Sequence, residues 1–354
     1  MLTRRETIGG LGAAAALMST SGVAQAQTRR KGPRLRPGDT VGVIAPAGVL
    51  PDPAGYDRAL QRVRDLGLVP KEGANLRDRH GYLAGTDWDR AADIDAMYAD
   101  GEVKAVLAIR GGWGCARLLP YLNWNVIRAN PKLLVGFSDI TALHLAIAAR
   151  GGFPTIHGPN IGSDWGPQSM ETFRRLAFEG AAPLLDTTPP ALMPPAASSP
   201  PAAPVVTSPP PRPLRTRAIR EGRATGRLLG GNLTVFAALA GTPYLPSFDG
   251  AIIFLEDVGE QEYRVDRMLT QLALAGVFRR AAGVVFGQCT DCATPNGSVS
   301  LDDVLNNHFF RLGIPAFTGA WFGHISNQLN IPVGVRAEMD AAAGTIRVLE
   351  PAVA

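Results

Sequence analysis

Residues 40–45, Thr-Val-Gly-Val-Ile-Ala, form a short apolar run closed by Pro46, and apolar positions then recur at helical spacing from Tyr56 to Leu66. A strand followed by a helix is the simplest expectation. The pattern repeats: 88–98 reads as a helix, 103–109 as a buried strand, 117–122 as a short helix and 133–136 as another strand. Residues 141–150 then read as a helix closing at Gly151-Gly152. Continuous apolar strands alternating with amphipathic helices predict a parallel sheet covered on both faces. In the second half, strands are expected at 251–255, 283–286 and 345–349, with helices at 232–240, 263–275 and 301–312. That half reads as mixed α/β or α+β, and its strand order is not legible.

Between Asp186 and Pro213 the pattern breaks, with four proline clusters set among Ala, Ser and Thr. Such a segment cannot pair or pack as regular structure, so an exposed, partly extended linker is expected. The arginines that follow it, from Arg212 to Arg227, read as solvated linker charge. The predicted organisation is therefore an N-terminal α/β domain over 27–185, a linker over 186–222 and a C-terminal domain over 223–354.

The start of the chain pairs Arg4 and Arg5 with a small-residue apolar run and then Ala24-Gln25-Ala26. This predicts a cleaved export signal over 1–26 of the twin-arginine type, and hence a periplasmic protein. The run is shorter than the roughly 18 to 20 residues that span a bilayer, so no stable membrane insertion is expected after cleavage. Removing Arg4, Arg5 and Glu6 leaves 33 basic and 30 acidic side chains, a formal charge of +3. That is too small to argue for nucleic acid. Cys289 and Cys292 form a lone C-x-x-C, for which a local disulfide or two buried thiols are expected rather than a metal.

Three segments carry candidate chemistry. Gly136-Phe137-Ser138-Asp139 places a serine where a buried strand turns into a helix, a position that lifts the hydroxyl from the backbone and presents free N–H groups nearby. On this segment alone, Ser138 or Asp139 as the N-cap of the next helix is the better reading. The G-x-S-x-G elbow itself is absent, because Ile140 stands where the second glycine would be. Arg110-Gly111-Gly112-Trp113-Gly114 also follows a buried strand, so both loops lie at the carboxyl edge of the sheet and together could form an oxyanion hole. A serine nucleophile needs a base, and among five histidines His157 and His324 are the contenders. Glu256, at the end of an apolar strand, is the most rigidly placed acid to orient that base.

These segments, with Gly230-Gly231-Asn232-Leu233 and the run from Tyr263 to Leu269, occur in the order seen in LD-carboxypeptidases. The chain resembles this family, the muramoyltetrapeptide carboxypeptidase family of serine peptidases, from about Gly38 to Val348. The resemblance implies a Rossmann- or flavodoxin-like parallel-sheet domain carrying Ser138 as nucleophile. It implies a C-terminal mixed α/β domain of swivelling β/α type carrying Glu256 and the base His324. Backbone N–H groups of Gly112 and Asp139 would form the oxyanion hole, and Arg110 and Trp113 would contact substrate. The implied reaction is hydrolysis of the L,D amide between a diamino acid and a terminal D-alanine in peptidoglycan-derived peptides. No metal or organic cofactor is expected, and a homodimer is left open. One alternative is a microcin-immunity type of peptidase that stacks a nucleobase on Trp113, Trp165 or Trp321. Another is a non-catalytic periplasmic binding protein, in which Ser138 and His324 would stand apart.

Overall fold

The computed structural model describes residues 30–189, 213–292 and 299–354. The expected signal and nearly all of the proline-rich run lie outside them. The N-terminal alternation builds β1 (Thr40–Ile44), α1 (Ala54–Asp65), β2 (Val69–Glu72), α2 (Asp87–Ala99), β3 (Val103–Ala108), α3 (Cys115–Leu118), α4 (Trp124–Ala129), β4 (Leu133–Gly136), α5 (Thr141–Ala146), β5 (Thr155–His157), α6 (Pro167–Phe173) and β6 (Leu184–Asp186). After the proline-rich segment come β7 (Arg217–Arg220), β8 (Arg223–Asn232), α7 (Leu233–Ala238), β9 (Ile252–Val258), α8 (Glu262–Leu274), β10 (Gly283–Thr290), α9 (Leu301–Phe310), β11 (Ala316–Thr318), β12 (Ile331–Val333), β13 (Arg336–Asp340) and β14 (Thr345–Val348).

These strands form two sheets. In the six-stranded sheet, ordered β12-β5-β4-β3-β1-β2, the five N-terminal strands run parallel and β12 pairs antiparallel at the edge. The eight-stranded sheet is ordered β6-β14-β13-β8-β9-β10-β11-β7, with a parallel centre from β8 to β11 and antiparallel flanks. The expected parallel-sheet domain and mixed α/β domain are both present. Local rules explain the covering helices. Along α1, Tyr56, Ala59, Leu60 and Val63 are buried, the three-and-four spacing that puts one stripe against the sheet. Thr86 with Asp89 before α2, and Ser300 with Asp303 before α9, form capping boxes that satisfy the first-turn N–H groups.

The structure also departs from the expectations. The short helix forecast over 117–122 starts at Cys115 and ends at Leu118, and the regular part of the helix forecast over 141–150 ends at Ala146, continuing as a wider turn to Gly151. The arginine run is not solvated linker: Arg217 and Arg220 lie on β7 and Arg223 and Arg227 on β8. The residues between them alternate inward, with Ala224 and Leu228 buried, so the strand period is present beneath the charge. Arg223 pairs across the sheet with Asp340 at 2.8 Å.

Two strands cross between the halves. β6 leaves the N-terminal half to pair with β14, and β12 leaves the C-terminal half to pair with β5. The boundary drawn after residue 185 thus falls inside β6. Cys289 and Cys292 are joined as a disulfide, with their Cα atoms 5.4 Å apart.

Candidate active site

The site lies where the carboxyl ends of β4 and β9 meet. After Gly136 the chain turns sharply, and Ser138 takes a φ of 64°, one of three non-glycine residues with positive φ among those described. Such a conformation costs about 1–3 kcal/mol and persists only where its surroundings hold it. Here they do. The Phe137 N–H donates to Asn160 Oδ1 at 3.2 Å, and the Asp139 carboxylate, fully buried, accepts the Cys115 N–H at 2.7 Å. Neither Ser138 nor Asp139 caps the following helix, so the capping alternative is set aside. Asp139 instead ties the turn to the end of the glycine loop.

That loop closes directly on the serine. A Cβ added to Gly111 would stand 2.9 Å from Ser138 Cβ, and Gly112 has a φ of 114° that favours glycine. Gly111 thus abuts Ser138, and Gly112, expected with Asp139 to offer an N–H to an oxyanion, is the next residue of that loop and lies against Gly48.

Ser138 Oγ lies 3.0 Å from His324 Nε2, and His324 Nδ1 lies 2.8 Å from Glu256 Oε2. The carboxylate fixes the tautomer: Nδ1 donates to Glu256 and Nε2 accepts from the serine hydroxyl. The geometry excludes the binding-protein alternative in the form given, since that reading separates Ser138 from His324. It also decides between the histidines, because His157 makes no hydrogen bond to Ser138. Glu256 was expected at a strand exit, where charge is usually solvated. It instead lies within β9, fully buried, with its carboxylate turned into the joint between the sheets.

Electrostatics match this arrangement. Burial pushes the Glu256 carboxyl up, but the adjacent His324 ring and its hydrogen bond, with smaller help from His157 and Asn232, hold it below the usual carboxylate range. Burial pulls the His324 ring down, yet the Glu256 carboxylate, its hydrogen bond and the charge of Asp257 raise it above the ordinary histidine value. Asp257 itself rises to about 6, through burial and the neighbouring Glu256 charge.

Several supports were not legible as such. The Asn232 side chain donates to Asp257 at 2.9 Å and caps α7, while the Asn232 N–H donates to Thr141 Oγ1 at 2.9 Å, joining the domain of the acid to the helix after the serine. Gly-Gly-Asn before an apolar helix was the available signal. Gly231 leaves the space, since a Cβ there would meet Thr141 Oγ1 at 2.3 Å. Thr290 Oγ1 donates to the His324 carbonyl at 2.8 Å, and nothing in the sequence marks it. His144 bridges Gly136 O and Thr155 Oγ1, each at 2.8 Å, so its role is to hold the ends of β4 and β5.

Around the site, a cavity of about 290 Å³ opens beside His324, walled by Gln288, Thr290, Trp321, Ile325 and Ser326. Arg110 is half-buried and donates to the Val49 carbonyl at 2.8 Å, with its guanidinium against Gly48. Trp113 is exposed, whereas Trp321 is buried and Trp165 packs edge-on against Phe173 at 5.1 Å.

A two-domain α/β fold with a hydrogen-bonded serine, histidine and glutamate between its halves defines a hydrolase-like class. The LD-carboxypeptidase N-terminal domain family matches residues 41–158, and the C-terminal domain family matches 225–339. The chain is 36% identical over 325 residues to the probable murein peptide carboxypeptidase of Bacillus subtilis, covering 88% of this chain and 92% of that one. It is 30% identical over 302 residues to the murein tetrapeptide carboxypeptidase of Pseudomonas aeruginosa, covering 85% and 92%. Among solved structures, that of MccF in complex with glutamyl sulfamoyl guanosine superposes with a TM-score of 0.79 at 23% identity, over 92% of this chain and 99% of that one, a likeness of fold. This chain belongs to the LD-carboxypeptidase family of peptidases.

Proposed function

We propose that the protein is a serine-type LD-carboxypeptidase that removes the terminal D-alanine from murein tetrapeptides by cleaving its amide bond to the L-centre of a diamino acid. The observation that carries this reading is the continuous Ser138–His324–Glu256 hydrogen-bond chain at a strained strand-to-helix turn. Ser138 Oγ attacks the amide carbonyl while His324 Nε2 takes its proton, and Glu256 stabilises the imidazolium that forms. The tetrahedral oxyanion is received by the N–H groups of Gly112 and Asp139, each donor of this kind supplying roughly 3–4 kcal/mol. His324 then passes its proton to the leaving amine of D-alanine, and water hydrolyses the acyl-enzyme by the same route in reverse.

Arg110, beside the Gly112 loop, receives the terminal carboxylate, and Trp113 covers the substrate from the exposed side. For the nucleotide-cleaving alternative, Trp165 is taken up by packing on Phe173, while Trp113 is exposed and Trp321 walls the cavity beside His324. The expected export signal places this activity in the periplasm, in wall-peptide turnover. Incubating the mature protein in parallel with a tetrapeptide ending in L-diamino acid-D-alanine, a pentapeptide ending in D-alanine-D-alanine and a glutamyl sulfamoyl nucleotide tests the reading. Release of D-alanine from the tetrapeptide alone is the expected outcome, and preferential cleavage of the nucleotide overturns it.

A further inference from the structure

The base sits in an irregular stretch between β11 and β12, so no ladder of backbone hydrogen bonds sets where its ring begins. Its ring is fixed by Glu256 and Ser138. Its main chain is fixed by one contact, the Thr290 hydroxyl donating to the His324 carbonyl at 2.8 Å. Among the described residues no other hydrogen bond reaches the main chain of His324.

The far end of that contact is itself fastened. Thr290 ends β10, where it lies opposite Val258 of β9, and Cys289 lies opposite Asp257, the residue after Glu256. The Gly259 N–H donates to the Thr290 carbonyl at 2.8 Å. Strand pairing is irregular between Phe286 and Cys289, and Asp291 then takes a left-handed φ of 58°. Such a conformation costs about 1–3 kcal/mol and needs its surroundings to hold it. The Cys289–Cys292 disulfide spans this turn, with Thr290 and Asp291 between the two sulfurs. Cys289 and Thr290 both wall the cavity of about 290 Å³ beside His324, so the cross-link borders the space next to the base. The chain has three cysteines, and the third, Cys115, is a buried free thiol.

We propose that Thr290 is a positioning residue for the base and that the Cys289–Cys292 disulfide braces it, so that opening this one bond slackens His324 and slows the reaction. This inference rests on the peptidase reading above and concerns the control of the same site. The opening step is thiol–disulfide exchange with a dithiol. The Sγ–Sγ bond breaks, each cysteine sulfur gains one electron and one proton, and the dithiol is oxidised to its own cyclic disulfide. Without the cross-link the turn at Asp291 relaxes, and Thr290 Oγ1 leaves the His324 carbonyl. The ring is then no longer held at its distances from Glu256 and Ser138. What is displaced is a reacting group, so the loss falls on kcat more than on KM.

The same displacement has a pH signature. Burial lowers the His324 ring, and the charge of Glu256, its hydrogen bond and the charge of Asp257 raise it further than burial lowers it. His157 is the other titratable ring that faces it. A ring drawn away from Glu256 loses that net rise, so the acid limb of activity moves down toward the ordinary value of 6.5.

The test assays the wild-type protein on the tetrapeptide before and after treatment with dithiothreitol, beside Thr290→Val, Thr290→Ser and the double variant Cys289→Ser with Cys292→Ser. Reduction, the double variant and Thr290→Val are each expected to lower kcat by about tenfold to a hundredfold and to lower the acid limb. Thr290→Ser keeps the hydroxyl and should recover most of both. Because the brace acts through Thr290, reducing Thr290→Val should add little to its loss. Wild-type kcat in the fully reduced chain, equal impairment of Thr290→Val and Thr290→Ser, or losses that multiply in reduced Thr290→Val overturn the proposal. Should the variants fail to fold, imidazole ¹H–¹⁵N spectra of the oxidised and reduced wild type decide. The His324 resonances are expected to move on reduction, and unmoved resonances overturn the proposal. Absence of tetrapeptide turnover in the oxidised wild type counts instead against the peptidase reading, which the spectra do not require.

Discussion

At Ser138, a left-handed backbone conformation and a 3.0 Å contact with His324 are two sides of one device. The turn points Oγ out of the sheet edge, and the ring brought in by the other domain receives it. Because His324 is raised above its ordinary value of 6.5 by the Glu256 carboxylate, the neutral base becomes available only at higher pH. The acid limb of kcat/KM is therefore predicted above 6.5, and a pH–rate profile with its limb at or below that value contradicts the assignment. The same shift has a consequence for stability. A histidine raised in the fold stabilises the native state fully below its unfolded value, and that contribution is lost as pH rises through the folded one. Thermal melts on either side of the limb should show this loss in the wild type and not in His324→Ala. Arg110 makes a different prediction: Arg110→Ala should raise KM for the tetrapeptide more than it lowers kcat, since uniform binding is what it removes. A pure kcat loss would assign the residue to its Val49 contact alone.

Among the elements, the loops are what bring chemistry together, and glycine is what lets them approach. Gly111→Ala places a methyl group 2.9 Å from Ser138 Cβ and 3.2 Å from its Oγ. It should reduce kcat by at least about a hundredfold through displacement of the nucleophile. Unfolding followed by denaturant should shift far less, because the loop lies outside the packed strands. Wild-type turnover in this variant would mean that the loop does not close on the serine. The strand-to-helix turn and the glycine loop were legible because a buried apolar run, then glycine or serine, then a periodic helix is a strong local pattern. The environment of Glu256 was not. A carboxylate within a buried strand can be recognised only with its partner, and His324 lies 68 residues further on. The strands β7 and β8 were hidden for a related reason, since arginine on the outward face masked the inward alternation of Ala224 and Leu228.

For the whole molecule, the exchanged edges β6 and β12 make the two sheets a joined unit, and Glu256 and His324 come from one half while Ser138 comes from the other. The sequence signalled this division, but its boundary is blurred by three-residue strands too short to carry a pattern. Both flanks of the proline-rich segment are fastened to the C-terminal half: Trp321 N–H donates to the Thr187 carbonyl at 2.8 Å, and Leu214 N–H to Gln288 Oε1 at 2.8 Å. Shortening residues 190–212 should therefore leave tetrapeptide turnover intact and change stability by only about 0.6 kcal/mol per halving of loop length. Lost turnover on small tetrapeptides would show that the segment shapes the site. Export is tested separately, with Arg4→Lys and Arg5→Lys together expected to retain the precursor inside the cell. Normal periplasmic accumulation of the double variant excludes the twin-arginine route.

The central claim is that Ser138, activated by His324 and Glu256, cleaves the bond to a terminal D-alanine. It is tested most directly by quantifying D-alanine released from a murein tetrapeptide by the mature wild-type protein and by Ser138→Ala, with both samples checked for native folding. Loss of a triad nucleophile costs on the order of a million-fold where such enzymes have been dissected. D-alanine matching tetrapeptide consumed by the wild type, with the Ser138→Ala rate lower by several powers of ten, is the predicted result. A folded Ser138→Ala protein that retains more than about a hundredth of wild-type release contradicts the account, given that magnitude.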